Sequence, residues 1–349
     1  MSRLLKQIIK IGSAAVIVMT FLAYLCPFVN PASFRWFAFF GTAFPWLLLA
    51  NVLLLLVWAS RVHRFALYHL GILLFGWQHV TGFIGLNFSG DLAPENAITV
   101  TTHNLGGFFR GIHLSEAEWE QIYVDYTQFL KKNGNPGILC TQETGRKFSQ
   151  TLAEKMGYKY SFHLNRSGNS ILSRYPVIRG GQVPFGQPEN TSIWADLKIG
   201  GRTVRVYNVH LQSNKVTNDT KRVIRDSDLQ KKQTWRDINR VLRKVGGATS
   251  IRAGQAQKLR DLIAACPHPV ILCGDFNDTP NSYVYSQLAE NMQDTFRDTG
   301  LGLGTTFSGA VPFLRIDYIL ADPRLQPYSC KVLRGSASDH YAVVAKLGF

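Results

Sequence analysis

Asp275 and Asn277 close the run VILCGDFNDTP, Val270 to Pro280, two residues apart. Alternate residues of an extended chain share a side, so an acid and an amide face one point. Val270 to Cys273 are apolar and read as a buried strand. Gly274 lets the backbone turn or approach a ligand closely. By itself the run reads equally well as an Asx turn ending a strand, with Asp278, Thr279 and Pro280 as punctuation. Other strand ends repeat it. TVTTHN finishes on Asn104, and GILCTQE on Gln142 and Glu143. In VRVYNVHL, alternation places Val204, Val206, Asn208 and His210 on one face. LRIDYIL sets Asp317 between Ile316 and Tyr318, where an unpaired carboxylate is costly to bury. SASDHYAVVAKL sets Asp339 and His340 before the last strand, and His340 is the natural partner for Asp317 if those strands are neighbours. Taken singly, each is a turn cap or a satisfied hydrogen-bonder. Taken together they are groups that bind cations and move protons.

The elements that must position these residues follow an α/β pattern from Ala97 onward. Candidate strands are AITVTTHNL, GILCTQE, NSILSRYPV, SIWADLKI, TVRVYNVHL, PVILCGDFN, TTFSG, RIDYILAD and YAVVAKLGF. Helical patterns cover 115–132, 147–156, 225–244 and 253–265, the first opened by Ser115 and Glu118 at capping-box spacing. Strands in that number with helices between them argue for two sheets covered by helices. The five cysteines form no CxxC or Cys/His spacing, so neither a disulfide framework nor a zinc site is indicated.

Residues 1–87 differ from the rest. Arg3, Lys6, Lys10, Arg35, Arg61 and Arg64 are their only Lys, Arg, Asp or Glu residues, although the whole chain carries 38 basic and 23 acidic residues, net +15. Apolar stretches at approximately 9–28, 36–58 and 65–86 each have about the 20 residues of a bilayer-spanning helix. The third is interrupted by His69, Gln78 and His79. These residues are read as a membrane anchor, 88–96 as a linker, and 97–349 as the catalytic domain. Basic residues before the first stretch and at Arg61–Arg64 place those ends in the cytoplasm. Three spans then put the catalytic domain on the extracytoplasmic side; two would leave it inside.

THNLGG, QET, YNVHL, GDFNDTPNS, RIDYIL and SDHYAV occur in this order over residues 97–349. Together they resemble the endonuclease/exonuclease/phosphatase superfamily of metal-dependent phosphoesterases, and the apolar spans resemble those of its membrane-anchored bacterial members. The resemblance implies a four-layer α/β sandwich of two packed mixed sheets flanked by helices, with the site at one edge. It implies Mg²⁺, with Mn²⁺ or Ca²⁺ as alternatives, held by Glu143 and completed or supported by Asn104 and Asp339. It further implies Asp275 as the acid that orients and deprotonates the attacking water and Asn277 as a phosphate donor. His340 would stabilise phosphoryl oxygens or pass a proton, Asp317 would fix its ring, and His210 would be a second donor. No position departs from the motif pattern.

The substrate is less specified. The segment 215–244 has ten Lys/Arg and four Asp, with Leu229, Trp235, Ile238 and Leu242 near helical spacing. A basic amphipathic segment suits anionic lipid, a nucleic-acid backbone or simply solvent. Arg174 in LSRYP and Arg252 in IRAGQ are candidate phosphate contacts. A domain tethered to a bilayer meets lipid headgroups far more often than DNA. The expected activity is therefore a sphingomyelinase-like lipid phosphoesterase, with a membrane-bound endonuclease and a non-catalytic membrane scaffold as alternatives.

Overall fold

The computed structural model describes residues 3–88, 93–106, 114–164, 168–186, 192–214, 232–309, 311–335 and 338–349. The N-terminal module comprises α1 (Arg3–Leu25), α2 (Ala38–Ala59), α3 (Phe65–Phe75), α4 (Trp77–Thr81) and β1 (Ile84–Leu86). There follow β2 (Ile98–Asn104), α5 (Glu116–Lys132), β3 (Ile138–Gln142), α6 (Arg146–Met156), β4 (Tyr160–His163), β5 (Ser170–Ser173), β6 (Val177–Gln182), β7 (Ile193–Ile199) and β8 (Arg202–His210). The chain continues through α7 (Lys232–Ala264), β9 (Val270–Asp275), α8 (Tyr283–Ala289), β10 (Gln293–Asp294), α9 (Thr295–Thr299), β11 (Leu301–Leu303), β12 (Asp317–Ala321), β13 (Gln326–Leu333) and β14 (Ala342–Gly348).

Two six-stranded mixed sheets form the body, in the orders β13-β14-β2-β3-β5-β4 and β10-β12-β9-β8-β7-β6. Alternation decides what each strand buries. Ile98, Val100, Ile138, Cys140 and Ile171 of one sheet meet Ile193, Ala195, Leu197, Val204, Val206, Ile271 and Ile319 of the other. The opposite faces are covered by helices. Leu139 and Leu172 pack under Tyr123, Tyr126, Leu130, Phe148 and Leu152 of α5 and α6. Leu272, Tyr318 and Leu320 pack under Ala256, Leu259, Val284 and Leu288 of α7 and α8. Each fully buried aliphatic side chain here contributes about 1.5–3 kcal/mol, so the four layers are held mainly by these three seams.

Several sequence expectations change in detail. The Ser115 capping box forms, with Ser115 Oγ accepting from Glu118 N–H. NSILSRYPV is not one strand, because Pro176 breaks it and the chain switches sheets between β5 and β6. The helices expected at 225–244 and 253–265 are one helix over its described part, Lys232–Ala264. Residues 215–231 of the basic segment lie outside the described residues. The third apolar stretch is not a single 65–86 helix. It breaks at Gly76, and its last residues form β1, which pairs with β11. α3 nevertheless runs back along α2. Phe65 stacks near Trp58, His69 bonds Asn51, and His79 reaches Phe44.

The module buries a set of polar side chains beside an apolar cluster of Ala23, Phe44, Leu47, Leu48, Val80 and Phe83, and is apolar outside. Ser13, Thr20, Asn51, Trp58 and His69 are buried, joined by Asn51 Nδ2 donating to Thr20 Oγ1 at 2.7 Å and Trp58 Nε1 donating to Ser13 Oγ at 2.8 Å. Leu53, Leu56, Leu67, Leu74 and Phe75 are all more than half exposed. Arg3–Phe28 and Arg35–Ala59 are long and apolar enough to cross a membrane.

Candidate active site

Strand direction gathers the polar residues on one rim. β2 and β3 are parallel, with Asn104 opposite Gln142, so Glu143 follows at the same end. β8 and β9 are parallel, with His210 opposite Asp275, and antiparallel β12 begins with Asp317 opposite Asp275. β14 is antiparallel to β2, which brings His340, just before it, to the same edge.

Asn104 is the bridge. Its Nδ2 donates to Glu143 Oε1 at 3.2 Å and to Asp275 Oδ2 at 3.0 Å, while its Oδ1 accepts from Gly106 N–H. Glu143 has φ +56°, a strained backbone for a non-glycine residue. A Cβ on Gly106 would overlap the Glu143 carboxylate, so that glycine keeps its place open. His210 Nε2 is buried, has no hydrogen bond, and lies 3.7 Å from both Glu143 Oε1 and Asp275 Oδ2.

His340 Nδ1 sits 2.9 and 3.1 Å from the two Asp317 oxygens and donates to them, leaving Nε2 directed at Asp275 Oδ2, 3.9 Å away. Burial opposes charge on this ring, but Asp317 and Asp275 outweigh it and hold its pKa up to about 9. Burial, and then the Asp317 charge, push Asp275 above the usual carboxylate range, with His340 and His210 pulling the other way. The rim is thus a cluster of carboxylates and imidazoles in an otherwise basic chain.

Atoms of Asp275, Asp317 and His340 lie within 4.8 Å of one another and could hold a cation. His340 Nδ1 is already committed to Asp317. The Glu143 carboxylate offers the hard oxygen Mg²⁺ prefers, whereas Asn104 donates from Nδ2 to that carboxylate and accepts from Gly106 N–H at Oδ1, and so supports the ligand rather than adding one. Asp339 is placed beside His340, and its carbonyl accepts from Ser308 N–H and Oγ.

Asn277 braces rather than reaches outward. Its N–H donates to Asp275 Oδ1 at 2.7 Å and its Nδ2 to Leu211 O at 3.1 Å, in a left-handed conformation of φ +53°. Gly274 leaves no space for a ligand. A Cβ there would strike the Val209 backbone, so the glycine serves the close pairing of β8 and β9.

The two arginines expected at the phosphate are elsewhere. Arg252 is buried inside, with Nε on Asp278 Oδ2 and further bonds to Gln212 O, Asn214 Oδ1 and Thr249 Oγ1. Arg174 follows Ser173, which pairs with Ile138 at the start of β3, the end away from Glu143, and it bonds Asn135.

Residues behind the rim, most of them not foreseen, hold it in place. Ser338 Oγ donates to Asn104 O at 2.7 Å and accepts from His340 N–H, and Thr306 Oγ1 accepts from the N–H groups of Ile316 and Asp317. Phe307 lies edge-on to the His340 ring with centroids 5.0 Å apart. His103, its pKa pushed down to about 3 by burial, bonds Tyr126 and the His340 carbonyl. Gln142 Nε2 donates to Asn208 Oδ1 at 2.7 Å, tying the two sheets beneath the site.

Comparisons with known proteins agree with this architecture. Solved structures of similar fold include humanized Danio rerio TDP2 (14% identity, 73% of this chain, 100% of that one, TM-score 0.53). A mannosyl-6-phosphatase from Bacteroides thetaiotaomicron is also similar (18%, 72% and 100%, TM-score 0.52), as is the human Nocturnin catalytic domain (18%, 76% and 97%, TM-score 0.50). A search of the curated proteins finds no match. Residues 6–83 match a family described only as a domain of unknown function. Residues 101–340, which carry every rim residue described above, match the model of the endonuclease/exonuclease/phosphatase family, and the chain belongs to that family.

Proposed function

We propose that this protein is a membrane-anchored, divalent-metal-dependent phosphoesterase whose substrate is a lipid headgroup, with the catalytic body on the extracytoplasmic side. Glu143 would hold Mg²⁺, supported by Asn104 and Asp339, and the ion would supply positive charge for the phosphoryl oxygens. Asp275, braced by Asn104 and Asn277, is the group to orient and deprotonate a water. His210 and the Nε2 edge of His340 face the same space as donors, and Asp317 keeps the His340 proton in place.

The observation that carries the lipid reading is the short path from His340 to an exposed apolar ribbon at the end of the helical module. β1 and β11 pair Ile84 with Leu303 and Leu86 with Leu301, so these four side chains share one face. Leu86, Leu301 and Leu303 are 41%, 59% and 51% exposed. Leu303 is four residues before Phe307, which touches the His340 ring. Four residues span at most about 14 Å. A ribbon resting in a bilayer interface therefore keeps the rim at headgroup distance. The exposed leucines of the module, with Asn51, Thr20, Ser13 and His69 turned inward, support the anchor. Its basic end supports the side: His63 feels Lys10, Lys6 and Arg64, while the catalytic body docks at the opposite end, near Pro27, Gly41 and Gly82.

The test uses the full chain in vesicles with Mg²⁺, offered sphingomyelin, phosphoinositides, bis-p-nitrophenyl phosphate and plasmid DNA. Lipid turnover is expected. Plasmid nicking without lipid turnover would make it a nuclease, and no turnover of any of the four by wild type, with Glu143→Gln changing no measurable function, would leave a scaffold. The ribbon supplies a separate check. Leu301→Asp with Leu303→Asp should lower turnover of vesicle lipid by at least about tenfold, since losing one buried leucine already exceeds 1.4 kcal/mol. Hydrolysis of bis-p-nitrophenyl phosphate should stay within about twofold, because neither side chain touches the rim.

A further inference from the structure

The loop that follows Asn277 is gripped from two sides. From the catalytic body, Arg252 Nε bonds Asp278 Oδ2 at 3.1 Å and Tyr318 OH bonds Asp278 O at 2.8 Å. From the N-terminal module, Gly41 O accepts from Thr279 Oγ1 at 3.2 Å, and His79 Nδ1 lies 2.8 Å from Asn281 Oδ1. The fit leaves no slack. A Cβ on Gly41 would overlap the Asn281 carbonyl, and one on Gly82 would come within 2.9 Å of Pro280. Asp278, Thr279 and Asn281 are all buried. His79 is itself held by stacking on Tyr24, centroids 4.6 Å apart, and Tyr24 OH donates to Ile72 O. Continuous contact thus runs from the interior of the helical module, through His79 and Asn281, to the residue whose N–H fixes Asp275.

We propose that His79 and Gly41 are positioning residues for the active site, which makes the N-terminal module a working part of the enzyme as well as its anchor. This rests on the phosphoesterase reading above. Removing the module strips one wall from the loop that sets Asn277, and Asp275 loses the geometry on which its efficiency depends. A misplacement of about 1 Å at a reacting group costs on the order of 100-fold in rate. A change buried in the module, at least 190 residues from Asp275 in sequence, then acts on the chemical step.

The experiment uses the full chain in nanodiscs with Mg²⁺, first confirming that wild type hydrolyses bis-p-nitrophenyl phosphate. In His79→Ala and Gly41→Ala, kcat should fall about 10- to 100-fold with KM within about threefold. Amide exchange should quicken in 276–285 while β13, on the far sheet, keeps its protection. His79→Gln, which retains a donor, should recover most of kcat. Unchanged kcat, with or without faster loop exchange, overturns the proposal, as does a uniform rise in exchange across the body. An inert wild type sinks the phosphoesterase reading and this inference with it, whereas an active wild type with indifferent variants sinks this inference alone.

Discussion

Asp275→Asn should lower turnover of whichever phosphoester the protein hydrolyses by about 10³- to 10⁴-fold, near the upper end for loss of a general base, and should raise the melting temperature of the metal-free protein. The first effect follows from position. Among the described residues, Asp275 is the only carboxylate that meets Asn104, Asn277, His210 and His340 together, and an amide cannot take a proton from water. The second follows from its environment. Burial, and then Asp317, raise its pKa, so the ionised form costs folding free energy at neutral pH. Asparagine keeps the shape and removes that cost. Activity and stability therefore move in opposite directions, the signature of a site whose charge is retained for function. Initial rates and a thermal melt in chelator measure both. A variant that loses activity because it unfolds, with a lowered melting temperature, would contradict the assignment.

The rim was readable because its residues sit at the ends of strands whose own pattern is strong. Apolar runs such as VILC and IDYIL fix where a strand stops, and parallel pairing of β2 with β3 and of β8 with β9 carries those stops to one edge. What a residue near such an end touches is not local information. Arg252 looked like a phosphate contact, yet its helix turns it inward onto Asp278. Gly274 looked like room for a ligand, yet its space is taken by Val209. β13 went unforeseen because Pro327 and Ser329 interrupt its apolar pattern, and its register shifts at that point. The third apolar stretch was misjudged because hydropathy does not register the break at Gly76, where the Tyr24 ring leaves no space for a Cβ. Least legible of all was the docking of Gly41, His79 and Gly82 on Thr279 to Asn281. Glycine and histidine in an apolar stretch have no periodicity that names a partner some 200 residues away.

Arg315→Leu should destabilise the protein by about 3–5 kcal/mol, the usual result of removing one partner of a buried ion pair. Arg315 is 1% exposed and pairs with Asp294, which also accepts from Tyr285 OH and caps α9 through the N–H groups of Phe296 and Arg297. The guanidinium lies between Phe296 and Tyr318, 4.7 Å from each ring centre, and donates to Gly82 O at 2.8 Å. Leucine would leave Asp294 charged, buried and without its cation. The pH dependence distinguishes this from lost packing. Burial alone would raise the Asp294 pKa, but Arg315 outweighs it and the net shift is downward. The wild-type pair therefore contributes stability above the unfolded carboxylate pKa of about 3.9, which is lost as pH falls through the lower folded value. In the variant, burial is opposed only by the hydrogen bonds from Tyr285 and the α9 N–H groups, so the folded pKa rises and protonation relieves the penalty as pH falls. The gap in melting temperature between wild type and variant should thus narrow from pH 7 toward pH 4. A gap that stays constant would mean that the guanidinium acts through its contacts with Phe296 and Tyr318 and not through its charge. Because Arg315 is two residues from Asp317 and bonds the segment that follows His79, its loss should also loosen the seam between the helical module and the catalytic rim.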